Sequence, residues 1–256
     1  MRSLVSPRRL LGAGLVAVMT TGAPLGAQVY FGLDNTGSAS TRATLVNSVA
    51  AQNSFLAQLS GVGTETFEGF SRGSSVPLAL SFPGAGTATL SGNGCVSDIQ
   101  WSACSNQVDN STPGGTNGFG RYPISGSKYF EVDAGSFRID FSSAVAAFGF
   151  YGVDIGEFGG TLAMRFYNGT SVLYEQPVAI ATGDGSAFYF GYINTANPFT
   201  AVEFVRGGAG GDVFAFDDMT IGSKEQVVPE PASLALVLVG LGTLGLTASR
   251  RRLTAR

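Results

Sequence analysis

Hydrophobic positions are arranged in three different ways along this chain. At the two ends they run without interruption, from Leu10 to Thr21 and again from Ala232 to Ala248, seventeen residues without a charge. Between Thr41 and Leu59 the residues Leu45, Val46, Val49, Phe55, Leu56 and Leu59 recur at roughly helical spacing. This predicts one amphipathic helix, with Ser40 as its N-cap and Gly61 and Gly63 as its stop. From Thr64 onward the pattern is alternation. Val76-Leu78-Leu80-Phe82, Phe137-Ile139-Phe141, Leu162-Met164-Phe166 and Phe188-Phe190-Tyr192 are its clearest runs, joined by Val145 to Tyr151, Val172 to Val178, Val202-Phe204 and Val213 to Ile221. Turn signals such as Asn168-Gly169 and Gly183-Asp184-Gly185 separate them. Many short strands with close turns predict an all-β fold, an antiparallel jelly-roll-like β-sandwich with one preceding helix. The 19 phenylalanines would fill the space between its sheets. Gln28 to Ser40 reads as a loose lead-in, and Ser91 to Ser125, rich in Gly, Asn and Ser, as a long surface excursion.

The terminal runs have a different meaning. Arg2, Arg8 and Arg9 precede the first, which is too short to span a bilayer, and small residues follow up to Ala27. Residues 1–27 therefore read as a signal peptide, cleaved after Ala27. Pro7 and Leu10 fit a twin-arginine signal poorly, so Sec export is expected. At the other end Val228-Pro229-Glu230-Pro231 leads into the charge-free run, and Arg250, Arg251, Arg252 and Arg256 close the chain. As a helix, residues 232–248 would cover about 26 Å, the short limit of a transmembrane helix. The arginines would hold its end on the cytoplasmic side. An ordinary C-terminal anchor would have the same outline. The order Pro-Glu-Pro, apolar span, arginines resembles the PEP-CTERM sorting signal of exported bacterial proteins. That resemblance implies a membrane-bound processing partner, the exosortase, and an envelope or cell-surface destination in an exopolysaccharide setting. Residues 28–63 then form an N-terminal segment with the helix, 64–223 the sandwich, 224–228 a short polar linker and 229–256 the sorting signal.

Composition narrows the chemistry. Between Gln28 and Val228 eight Lys and Arg face seventeen Asp and Glu, a net charge of −9. That balance argues against nucleic acid and anionic lipid and suits a cation or a neutral polymer. Histidine is absent, which removes Ser-His-Asp and Cys-His catalysis and His-ligated metals. In an exported chain Cys95 and Cys104 are expected to form a disulfide, contributing about 2–3 kcal/mol through the unfolded state.

Carboxylates carry the remaining candidate chemistry. In Val213 to Ile221 the large residues occupy even positions before Asp217-Asp218 and odd positions after, so a β-bulge is expected there. Phe216-Asp217-Asp218 followed by alternating apolar residues resembles the closing strand of calcium-stabilised carbohydrate-binding modules. The resemblance implies calcium shared between Asp218, with Asp217, and a residue near the first strand, for which Glu68 is the candidate and Glu65 a poorer one. Asp154 and Glu157, in a glycine-rich loop, form a second possible calcium pair. Ordinary turn and edge carboxylates are the other reading of both. The same side chains could in principle serve a secreted glycoside hydrolase, since that chemistry needs only two carboxyl groups. Sugar-stacking planes are sought among Trp101, Tyr122, Tyr189 and Tyr192. The expected role is non-enzymatic: a surface or matrix component associated with extracellular polysaccharide, binding glycans or serving structure alone.

Overall fold

Phe137, Ile139 and Phe141 alternate with Arg138 and Asp140 along one strand, and the structure buries the first three while Asp140 stays exposed. The computed structural model describes residues 26–35, 44–98, 101–104, 107–108, 120–133, 135–156, 158–178, 183–208 and 212–228. Nearly all of the segment read as a signal peptide, the expected helix cap Ser40, Glu157, Pro229, Glu230, Pro231, the apolar run 232–248 and Arg250 to Arg252 lie outside the described residues. Among the described residues no helix is long and apolar enough to cross a membrane.

The elements in chain order are β1 (Gln28–Asp34), α1 (Val46–Leu56), β2 (Thr64–Glu65), β3 (Leu78–Phe82), β4 (Gly86–Gly92) and β5 (Cys95–Asp98). Then come β6 (Trp101–Ser102), β7 (Gln107–Val108), β8 (Lys128–Val132), β9 (Phe137–Val145), β10 (Ala147–Val153) and β11 (Gly160–Asn168). The last are β12 (Ser171–Pro177), β13 (Ala187–Ile193), β14 (Phe199–Gly208), β15 (Phe214–Gly222) and a 3-10 turn, Lys224–Gln226. One sheet has the order β1-β13-β10-β15-β8-β5-β6-β7, with β2 also beside β15; the other has the order β12-β11-β14-β9-β4-β3. From β8 to β15 each sheet takes four strands, β8-β15-β10-β13 in one and β9-β14-β11-β12 in the other. That is the eight-stranded, two-sheet arrangement of a jelly roll.

Phenylalanine fills the gap as expected. Phe150 lies 4.9–5.9 Å from the rings of Phe148, Phe188, Phe190, Phe204 and Phe216, and Phe137 stacks on Phe204 at 4.2 Å. Tilted and edge-on pairs predominate around Phe150, the geometry that ring quadrupoles favour.

β10, β13 and β15 are buried along their whole length because their outer face is covered too. There α1 lies across a seam made by Gly149 and Gly191, which are paired in register. A Cβ on Gly191 would sit 2.6 Å from the Phe55 ring, so only glycine lets the helix approach. This covering layer corrects several readings. Gln28–Asp34 is an edge strand, not a loose lead-in. The helix is shorter than 41–59, and its buried face is Ser48, Ala51 and Phe55, whereas Val46 is 66% exposed. Its N-terminus is held from β1, where Asp34 accepts the N–H groups of Asn47 at 2.9 Å and Ser48 at 2.8 Å. Within the surface excursion, β5 joins the sheet and Cys95 is bonded to Cys104 as expected. The linker 224–228 is docked on the domain, as detailed below.

Candidate functional site

The expected bulge is present. Between β10 and β15 the register passes from Gly149–Thr220 to Tyr151–Asp217, one residue longer on β15, and Asp218 has a φ of 48°. The bulge turns both carboxylates away from the phenylalanine core. Asp217 accepts the N–H of Ile124 at 2.7 Å, of Ser125 at 3.2 Å and of Asp218 at 2.7 Å. Asp218 accepts the Ser125 hydroxyl at 2.5 Å. Burial, reinforced by the neighbouring Asp218 charge, pushes the Asp217 carboxyl well above the usual range; burial also raises Asp218.

Glu68 is used in the same way. It accepts the N–H groups of Ser127 at 2.7 Å and Lys128 at 2.6 Å. Burial opposes its charge, but these donors outweigh it and hold its pKa below the ordinary value. Glu65, the poorer candidate, accepts Phe67 N–H at 2.8 Å and Ser81 N–H at 2.9 Å. The structure thus brings Glu68, Asp217 and Asp218 onto one segment, Ile124–Lys128, and each grips that segment's donors. A calcium ion needs oxygens aimed at a common centre. Among the described residues, no three His, Cys, Asp or Glu side chains converge in a way that could hold a metal ion.

The glycine-rich loop follows the same logic, through a residue that sequence reasoning missed. Asp212 is fully buried and accepts the N–H of Gly156 at 3.0 Å, with further backbone donors at Phe158 and Gly160. Burial nevertheless keeps its carboxyl above the usual value. The loop after Asp154 is therefore wrapped around a carboxylate and presents donors inward. Asp154, also fully buried, accepts Gly185 N–H at 2.8 Å and lies 3.4 Å from Arg121, which in turn lies 3.4 Å from Glu131. Its partner in the expected pair, Glu157, is outside the described residues.

The three tyrosines expected as sugar planes are not at the surface. Tyr122, Tyr189 and Tyr192 are at most 4% exposed. Tyr189 does face away from Phe188 and Phe190, but it meets Phe55 of α1 there at 5.8 Å. The side chain of Trp101 is outside the described set.

A different surface is open: the outer face of the six-stranded sheet. Cross-strand register aligns Ser91, Arg138, Glu203, Arg165 and Glu175 in a row across β4, β9, β14, β11 and β12. Opposite charges alternate along it, the arrangement that cross-strand pairing favours. Arg165 Nε reaches Glu175 at 2.6 Å, and Arg138 Nε reaches Asp140 at 2.9 Å. The Arg138 guanidinium lies 4.2 Å over the Tyr167 ring, and Tyr167 donates its hydroxyl to Glu203 at 2.5 Å, which raises its pKa. Exposed pairs of this kind add little stability, but they fix side-chain positions. Beside the row a groove of about 570 Å³ is lined by Ala79, Ser81, Thr87, Thr89, Asp140 and Ser142 among others. The signal was present in the sequence as the polar phase of β9 and β11, Arg138-Asp140 and Arg165-Tyr167, out of step with the buried aromatics.

Residues 227–252 match the model of the PEP-CTERM protein-sorting motif. No curated protein matches the chain. Among solved structures, the K2 cleaved adhesin domain of Lys-gingipain is similar at 16% identity and a TM-score of 0.39, covering 62% of this chain and 97% of its own. The K3 adhesin domain from Porphyromonas gingivalis w83 is similar at 11% identity and a TM-score of 0.35, covering 63% and 97%. TmCBM61, solved with β-1,4-galactotriose, is similar at 16% identity and a TM-score of 0.26, covering 62% and 94%.

Proposed function

We propose that this exported, PEP-CTERM-bearing protein is a non-enzymatic glycan-binding component of the cell surface or its extracellular polysaccharide, and that it binds through the open face of its six-stranded sheet. The motif at residues 227–252 supports export, envelope sorting and processing by exosortase-type machinery. The observation that carries the binding reading is the groove. Ser81, Thr87, Thr89 and Ser142 offer hydroxyls that both donate and accept, and Asp140, 49% exposed, offers a charged acceptor held in place by Arg138. Neighbouring hydroxyls of a neutral sugar match such a set. A domain charge of −9 disfavours anionic polymers.

Two facts favour binding over hydrolysis. Glycoside hydrolysis needs a pair of carboxyl groups flanking the bond, and among the described residues Asp140 is the single carboxylate lining this groove. Asp154 and Asp217 are fully buried, with oxygens accepting from Gly185 N–H and from the N–H groups of Ile124, Ser125 and Asp218 respectively. The test is a glycan array with the exported protein and its Asp140→Ala variant. Binding to a neutral polysaccharide that falls about ten- to a hundredfold in the variant is expected, since a lost charged hydrogen bond costs about 1.5–3 kcal/mol. Absence of binding to every glycan would remove this reading and leave a purely structural matrix role, and binding unchanged by Asp140→Ala would remove the groove as its site.

A further inference from the structure

β9 and β10 are joined by the single residue Ala146, so one end of the sandwich can be followed from sheet to sheet. There Phe199 pairs with Val145, Ala147 pairs with Gly222 and Ile193, and Gln28 pairs with Ile193. Asn194 N–H donates to the Ala146 carbonyl at 2.7 Å and Gly169 N–H to the Thr200 hydroxyl at 2.9 Å, which brings in the connections 194–198 and 168–171. The Gln226 side-chain amide, donating to the carbonyls of Gly61 at 3.2 Å and Gly84 at 2.9 Å, brings in 60–63 and 83–85. None of these four connections contains a charged residue, and in 224–228 Lys224 offsets Glu225. The opposite end, where Asp34 pairs with Ala187, Val153 with Ala187 and Val132 with Phe214, carries Asp34, Asp133, Asp154, Asp184 and Asp212. The acidic charge of the domain is therefore unevenly placed. The chain leaves from the uncharged end, and it leaves without slack. Val227, 6% exposed, bridges Leu59, and Val228 N–H donates to the Gln58 carbonyl at 2.7 Å, so the segment expected as a linker is fastened to the domain.

Only Pro229, Glu230 and Pro231 separate Val228 from the charge-free run that begins at Ala232. Four Cα–Cα steps reach at most about 14 Å. The seventeen residues of the run cover about 26 Å as a helix, against a hydrocarbon core of about 30 Å, so a span has none to spare and Ala232 lies at its outer boundary. The headgroup layer beyond that boundary is about 5–7 Å thick. The surface around Val228 is thereby held within about two such layers of the hydrocarbon. We propose that, while the tail is attached, the sandwich stands on its uncharged end against the outer lipid surface of the membrane, with the connections 168–171 and 194–198 at the headgroups and the acidic end directed away. The proposal rests on the reading that residues 232–248 span the membrane. Anionic headgroups repel the five carboxylates of the far end and find none in these connections. Val172 and Val29, the second residues of β12 and β1, are 54% and 49% exposed at the same end and add apolar area there.

The test uses the exported chain with its tail intact, reconstituted into vesicles of phosphatidylcholine and phosphatidylglycerol that carry a nitroxide quencher on the headgroup. Cys95 and Cys104 are bonded to each other, so one introduced cysteine takes a fluorophore, in Thr170→Cys, Asn197→Cys or Phe158→Cys. Phe158 is 62% exposed and precedes β11, whose nine residues set it about 30 Å from Thr170. Melting temperature confirms that each labelled chain is folded. Quenching several-fold stronger at positions 170 and 197 than at 158 is expected. An insertion of about ten Gly and Ser residues after Val228 slackens the tether and should bring the three positions close to equality. Equal quenching at all three positions without the insertion, or quenching strongest at 158, overturns the proposal. So does a bias that the insertion leaves unchanged, because the short tether would then not be its cause. A chain that does not float with the vesicles sinks the membrane-span reading, and the proposal falls with it, while the glycan array is untouched by that result.

Discussion

Replacing Asp34 with alanine should unfasten α1 while leaving both sheets intact. The carboxylate accepts Asn47 N–H at 2.9 Å, Ser48 N–H at 2.8 Å and the Ser48 hydroxyl, so it caps a helix from a strand thirteen residues away in sequence. Asn47 is exposed, and water can replace the bond its N–H loses. Ser48 is fully buried, so its N–H and hydroxyl would stay dry and unpaired. Loss of a cap costs about 0.5–2 kcal/mol, and a buried unsatisfied group about 1–3 kcal/mol. Relaxation at the helix end offsets part of this, and the expected net loss is about 2–3 kcal/mol. For a domain of this size that corresponds to roughly 5–10 °C in Tm. Asp34→Asn, which keeps an acceptor, should lose about half as much.

The assay is urea denaturation with the Ser48→Ala cycle. Ser48→Ala should be costly in the wild type and nearly neutral in Asp34→Ala, because the hydroxyl has already lost its partner. The pH dependence adds a check. Burial opposes the Asp34 charge, but Ser48 and the backbone donors outweigh it and hold the pKa below 3.8. A lowered carboxyl stabilises the fold above its unfolded pKa and loses that contribution as pH falls through the folded one, so the gap between wild type and variant should close below about pH 4. An Asp34→Ala protein within about 0.5 kcal/mol of wild type, or Ser48→Ala costs equal in both backgrounds, would refute the capping argument.

Asp212, Asp217 and Asp218 are all raised by burial, so the folded state holds more protons than the unfolded one and stability should rise as pH is lowered from 7 to 5. Thermal melts should show Asp217→Asn flattening that rise; a wild-type profile already flat or inverted would contradict it. Because Glu68, Asp217 and Asp218 are occupied by backbone N–H groups and the Ser125 hydroxyl, calcium should leave the Tm of metal-stripped protein unchanged. A gain of several degrees that Asp218→Asn abolishes would restore the calcium site. Phe150→Ala removes a ring that touches five others and should cost about 3–5 kcal/mol by denaturant titration. Reducing the Cys95–Cys104 bond should cost about 2–3 kcal/mol in the same assay, with no change in the far-UV spectrum of the native baseline.

Much of the molecule was set by local pattern. Alternation along β9 and β11 has one physical solution, a strand with one wet face, and the phase slip at Asp217-Asp218 has one as well, an extra residue in the strand. The C-terminal sorting motif needed no fold at all to be read, because the order of Pro-Glu-Pro, apolar run and arginines is a property of the chain itself. Pattern failed where a second layer covers a sheet. β13 carries Tyr189 on a face that alternation would leave wet, and only the arrival of Phe55 over Gly191 makes that face dry. Carboxylate roles failed for a related reason. Asp212 meets the loop of Gly156, and Glu68 meets Ser127, across separations of 56 and 59 residues. An acidic residue reads the same in sequence whether it will meet a cation, a substrate or a row of N–H groups. Which donors or acceptors the fold brings to it decides among them, and that is a matter of strand order and register between segments far apart in the chain.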